Sequence, residues 1–217
     1  AKGRVQALLN EDGMNARVVQ LLAEVAGALQ EPDLVRAYLT ANEDGVFGLP
    51  PRTLVQLAEA LTIQDNPTRG DFDAARRLYI HASKGLVDER EVRKVAYGLS
   101  KAGDDHAAVA FLDKQLNEHA EWRENPYLLQ ARGNSFIGMA KQCTKTARRD
   151  GLSPQAKKRA WDDCRRFLEL ALKDLEGASR SSDAVLRQTV LKNIEFAENL
   201  QRLSTRGARG RQRQQRR

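Results

Sequence analysis

Cysteine is nearly missing from this chain: Cys143 and Cys164 are the only two in 217 residues. Their spacing fits no zinc or dithiol motif, so they read as ordinary thiols in a reducing, cytoplasmic setting rather than a disulfide framework. Aromatic residues make up only 6%, and β-branched runs are almost absent, which leaves little from which to build strands. No stretch approaches the roughly 20 apolar residues that a membrane helix needs, so no membrane contact is expected. The opening Ala1-Lys2-Gly3-Arg4 has no apolar run behind it and so no secretory signal. An initiator methionine is also missing, which reads as a chain processed or cut from something longer. Catalytic constellations are missing too. His81, His106 and His119 have no metal-ligand spacing. Gly207 and Gly210 stand outside any phosphate-loop context. The pairs Asp104-Asp105 and Asp162-Asp163 are adjacent, and adjacent residues on a helix point apart, so neither is a paired-carboxylate site. Asp104-Asp105 fits helix capping instead. The expectation is a protein that is not an enzyme and needs no cofactor and no metal.

What is present favours helix throughout. Ala, Leu, Arg, Glu and Gln dominate, and these residues lose little side-chain freedom in a helix. Apolar residues recur at helical spacing over Asn15–Gln30 (Val18, Val19, Leu21, Leu22, Val25, Ala26 and Leu29), after Pro32 (Leu34, Val35, Tyr38 and Leu39), and along Leu54, Leu57, Ala58 and Leu61. Further stripes cover Asp71–Ser83, Glu89–Lys101 behind the N-cap Asp88, and His106–His119. Asn125-Pro126, Ser153-Pro154 and Ser182-Asp183 open three more helices in the manner of cap residues, two of them with proline in the first turn. Between the second and third helices, Gly45-Val46-Phe47-Gly48-Leu49-Pro50-Pro51 breaks the pattern and reads as a turn or domain boundary. A basic polar loop is expected over roughly Thr144–Ser153. The last helix is expected to end near Ser204.

In Arg90–Pro126, Val92, Val95, Ala96 and Leu99 precede a Gly103-Asp104 turn, and Ala108, Leu112 and Gln115 follow it on a second helix. This resembles the tetratricopeptide repeat, two antiparallel helices with small residues where they cross. Gly70-Asp71-Phe72 with Ala75, Tyr79 and Ala82 looks like the second helix of a preceding unit. Leu129, Gly133 and Phe136 look like the first helix of a following one. The resemblance covers about residues 55–140. It implies an all-α fold of antiparallel helical hairpins stacked as a right-handed superhelix; with the residue patterning this divides the chain into an N-terminal helical segment over 1–45, the repeat-like domain over 51–204 and an Arg-rich tail over 205–217 that is too polar and Gly-rich to pack and is expected to be disordered. It also implies a groove lined by the first helix of each unit. Its outward positions would be Arg93, Tyr97 and Lys101, then Gln130 and Asn134, suited to a peptide carboxylate or an acidic segment.

Charge is the second feature. Of the 36 basic residues, six lie in the final stretch from Arg206, as Arg206, Arg209, Arg211, Arg213, Arg216 and Arg217, with no acid among them; the remaining 30 face 29 acids, so the body is close to neutral. Within the body, Lys141, Lys145, Arg148, Arg149, Lys157, Lys158 and Arg159 are opposed by Asp150 alone. Arginines spaced by Gly and Gln suit contact with nucleic-acid phosphates, and without interleaved aromatics that contact would carry no sequence preference. The sequence thus predicts a non-catalytic module that binds a protein or peptide partner, a regulatory or C-terminal part of a larger protein or complex. The alternative is a factor that touches RNA or DNA through the tail and the basic stretch 141–159. The oligomeric state is not encoded in any recognisable feature.

Overall fold

The computed structural model describes residues 15–63, 66–86 and 88–214, with side chains as far as Thr205, and otherwise only Gly3 and Ala7. Among the described residues every regular element is helical: α1 Ala16–Leu29, α2 Asp33–Ala41, α3 Pro51–Thr62, α4 Arg69–Ala82, α5 Glu89–Lys101, α6 Asp105–Glu118, α7 Pro126–Arg148, α8 Pro154–Ala178 and α9 Ala184–Gln214. Short 3-10 turns lie at Val46–Gly48 and Ala120–Trp122. The protein is therefore all-α. None of the described helices is long and apolar enough to cross a membrane. The chain forms two compact units, 1–107 and 108–217, and the division falls inside α6.

Local chemistry sets where the helices start and stop. Asn15 accepts the Arg17 N–H at 3.0 Å. Asp88 accepts from Arg90 and Glu91 at 2.8 and 3.2 Å. Asn125 and Ser153 do the same ahead of Pro126 and Pro154, satisfying first-turn N–H groups that have no partner within the helix. Thr68 and Asp71 cap α4 reciprocally: Thr68 Oγ1 accepts the Asp71 N–H at 3.2 Å, and Asp71 Oδ2 accepts the Thr68 N–H at 2.7 Å. The turn that ends α5 uses Gly103 at φ +81°, a left-handed conformation open to glycine at no steric cost.

In the first unit, α3 packs against α4 and also against α1 and α5, so alternate helices of the chain lie side by side. Its core is the predicted set of stripes: Val19, Leu22, Leu57, Leu61, Val95 and Leu99 are all at most 1% exposed. Of the first stripe, Leu21 and Leu29 stay outside, at 40% and 50%. Tyr79 of α4 fills the space over Gly98 of α5, and a Cβ at Gly98 would fall within 3.0 Å of its ring. Within the stretch 45–51, read as a turn or boundary, a 3-10 turn over Val46–Gly48 buries Val46, and Leu49 after it is buried too.

The second unit is built on two long helices, α7 with 23 residues and α8 with 25. They run antiparallel, since Arg132 meets Asp174, Gly133 meets Leu175, and Thr144 meets Cys164. Gly133 is the crossing point: its missing Cβ would stand 2.9 Å from Leu175 Cγ and 3.2 Å from the Ala171 carbonyl. The basic loop expected over 144–153 is accordingly shorter. Thr144 and Ala147 are buried and hold α7 helical to Arg148, because Thr144 donates to the Ala140 carbonyl at 2.9 Å and touches Cys164 Sγ at 3.3 Å. Helix α9 packs on both. Tyr127 donates to Asp183 at 2.7 Å, Asn193 to Asn134 at 2.9 Å, and Lys141 sits over Phe196, so α9 runs parallel to α7. The sequence places its end near Ser204; that residue is fully buried and the helical backbone continues to Gln214.

Candidate binding surfaces

Three features have binding chemistry, and the first is the outer face of α5. Arg90, Lys94, Tyr97 and Lys101 recur at helical spacing and are all exposed, Tyr97 by 67%. The face is tied to α3 by Lys94 Nζ–Glu59 Oε2 at 3.2 Å, by Arg52–Glu91 at 3.7 Å, and by Lys101, which donates to the Thr62 carbonyl. Gln20 of α1 in turn donates to Thr53 of α3 at 3.1 Å. Exposed pairs of this kind add little stability, but they fix α1, α3 and α5 as one surface. Of the five groove residues read from the sequence, Arg93, Tyr97 and Lys101 share α5, with Arg93 half-buried. Gln130 and Asn134 belong to the second unit, and Asn134 already accepts from Asn193.

The second feature is the end of the α7–α8 hairpin. Lys145 and Arg148 lie in the last turns of α7, Arg149 caps it, and Lys157, Lys158 and Arg159 lie in the first turns of α8. Antiparallel packing brings both groups to one end of the second unit. All but Lys157 are exposed. Parallel to α7, α9 brings Ser204 and Thr205 toward the same end. The side chains of Arg206, Arg209, Arg211, Arg213, Arg216 and Arg217 lie outside the described residues. A cavity of about 340 Å³ opens here between Cys143, Thr146, Ser153, Arg159 and Asp163. Burial pushes the Cys143 thiol up to about 11, with Asp163 adding to it, so the group is a poor nucleophile at neutral pH.

The third feature went unseen in the sequence. A slot of about 310 Å³ in the first unit separates one face of α2 from one face of α4. At one end stands a half-buried ion pair: Arg36 Nε and Nη2 grip both oxygens of Asp71 at 2.6 Å, and Nη1 reaches Asp33 at 2.6 Å. Asp71 is 2% exposed. The Arg36 guanidinium holds its carboxyl down at about 2, helped by Thr68 against the opposing effect of burial. Phe47, stacked on His81 with ring centroids 4.0 Å apart, helps to close the other end. The signal available was Thr68-x-x-Asp71, a capping pattern, but nothing local to α2 announces that Arg36 is the partner. A comparable pair ties the second unit, where Arg132 grips Asp174 at 2.7 Å twice and Asp113 at 2.7 Å.

Among the described residues no group of three or more His, Cys, Asp or Glu is placed to hold a metal ion. Compared with known proteins, the chain matches no family model, and no curated protein is similar to it in sequence.

Proposed function

We propose that the chain is a non-catalytic helical interaction module of the tetratricopeptide-like kind, whose α5 face receives an acidic or carboxylate-bearing peptide of a protein partner. The observation that carries the reading is Tyr97, exposed by 67% among Arg90, Lys94 and Lys101. An exposed aromatic ringed by cations supplies an apolar anchor together with charge selection, the usual anatomy of a binding hot spot. The side-by-side packing of α1, α3 and α5 supports it, since alternate helices in a row make the inner wall of a stack of hairpins. Such a module serves as a scaffold or regulatory part of a larger cytoplasmic protein or assembly. The test is fluorescence anisotropy with matched pairs of acidic peptides, free or amidated at the C-terminus. Binding of the acidic peptides, weakened about tenfold or more by Tyr97→Ala and by Lys101→Glu, supports the reading. Binding indifferent to both substitutions refutes it.

One observation favours a second reading, contact with RNA or DNA phosphates. The basic residues that close α7 and open α8 stand together at one end of the second unit, the end that α9 also approaches. Each phosphate contact releases counterions, so affinity for a generic RNA or duplex should fall steeply with salt. Truncation after Thr205, or glutamate at Arg148 and Lys158, should flatten that slope by about one unit for each phosphate no longer held. A slope unchanged by both would rule this mode of binding out.

A further inference from the structure

The slot between α2 and α4 has charges that the fold itself does not use. Arg36 is committed to Asp71 and Asp33, and Asp71 to Arg36 and Thr68. That leaves Glu43 and Arg77, both exposed, both lining the slot, and neither with an ion-pair partner among the described residues. Beside these two unlike charges the lining is largely apolar, with Leu39, Val46, Phe47, Leu61, Ala74 and Leu78. Small residues on the α4 side, Gly70 and Ala74, keep the space open. At about 310 Å³ the slot lies at the lower edge of ligand pockets.

We propose that this slot binds a small zwitterion with an apolar body, of the class of the free branched or aromatic α-amino acids. The ligand's carboxylate meets Arg77, its ammonium meets Glu43, and its side chain enters between Leu39, Leu61 and Leu78. A monoanion would leave Glu43 facing a like charge, and a simple amine would do the same at Arg77, so only a ligand carrying both charges satisfies both rims. The arrangement is independent of the α5 face and of the basic end of the second unit.

Isothermal titration calorimetry of the full chain tests this with L-leucine and L-phenylalanine, against isocaproate and isoamylamine, which each keep the body and one charge. The expected result is saturable binding of an amino acid, with both single-charge analogues at least tenfold weaker, since removing one charged hydrogen bond is worth about that factor. Arg77→Gln and Glu43→Gln lie on the exposed rim and should each weaken the amino acid about tenfold. Ala74→Leu, checked for folding by circular dichroism, should fill the slot and abolish binding. No heat at millimolar amino acid overturns the proposal. So does an analogue that binds as well as the amino acid, or binding that survives both rim substitutions.

Discussion

Replacing Gly98 by alanine should destabilise the first unit, although alanine is the better helix former. Within α5 the exchange alone gains about 1 kcal/mol by propensity. Against it stands the Tyr79 ring, whose Cζ, Cε2 and Oη would all lie within 3.0 Å of the new Cβ. Tyr79 is 2% exposed and its hydroxyl is bonded to Thr62, so the ring has no solvent to move into. Overpacking of a rigid core costs about 1–3 kcal/mol and sometimes more; with two ring atoms and the hydroxyl oxygen involved the upper end applies. The net expectation is a loss of about 2 kcal/mol. Urea unfolding followed by far-ultraviolet circular dichroism measures it, and a cycle with Tyr79→Leu isolates the cause. In that background the ring is gone, and Gly98→Ala should become neutral or stabilising. Gly27 supplies the control, a helical glycine with nothing within 4 Å of its missing Cβ; Gly27→Ala should stabilise by about 0.5–1 kcal/mol. If both glycines respond alike, or if Gly98→Ala is equally costly without the ring, the packing argument fails.

Three further outcomes follow from the buried charges and thiols. Asp71 is held at about 2, below its ordinary 3.8. Its contribution is therefore complete above about pH 4 and is lost as pH falls through 2, an amount of about 2 kcal/mol that Asp71→Asn should remove at neutral pH and that acid titration of the two proteins would show converging. Arg132→Met leaves Asp174, 5% exposed, without its bidentate partner; a loss of about 3 kcal/mol is expected, and adding Asp174→Leu should recover much of it, both read from urea midpoints. Alkylation of Cys143 should be slow at neutral pH and accelerate toward its raised value of about 11, while Cys164, 0% exposed, should react only on unfolding.

Helix existence was legible in the sequence because its evidence is local. The stripe Val92, Val95, Ala96, Leu99 and the cap Asp88 lie within a dozen residues, and the structure buries the first four and uses the fifth. Gly133 entered only through the repeat-like resemblance, with its small residues at helix crossings, and it does stand where α7 meets Leu175 and Ala171 of α8. Helix ends were harder. Lys145 and Arg148 are polar enough to read as loop, yet their neighbours Thr144 and Ala147 are buried, and Thr144 touches Cys164 of α8, twenty residues away in the chain. The slot was beyond reach for the same cause at larger range. It depends on Arg36 meeting Asp71 across 35 positions, and no periodicity of α2 or α4 alone encodes that meeting. The basic end was half legible: the charges were visible, but their convergence needed α7 and α8 to fold back on each other.

The two tryptophans of the chain, Trp122 and Trp161, both belong to the second unit. Trp161 is 5% exposed in its core, and Trp122 stacks on His119 with centroids 4.0 Å apart. Nature has thus labelled one half of the molecule optically and left the other dark. Indole emission follows the second unit alone, whereas helical dichroism sums over both. Overlaying the two signals in one denaturation experiment would show, without any engineered probe, whether the halves melt together or one after the other.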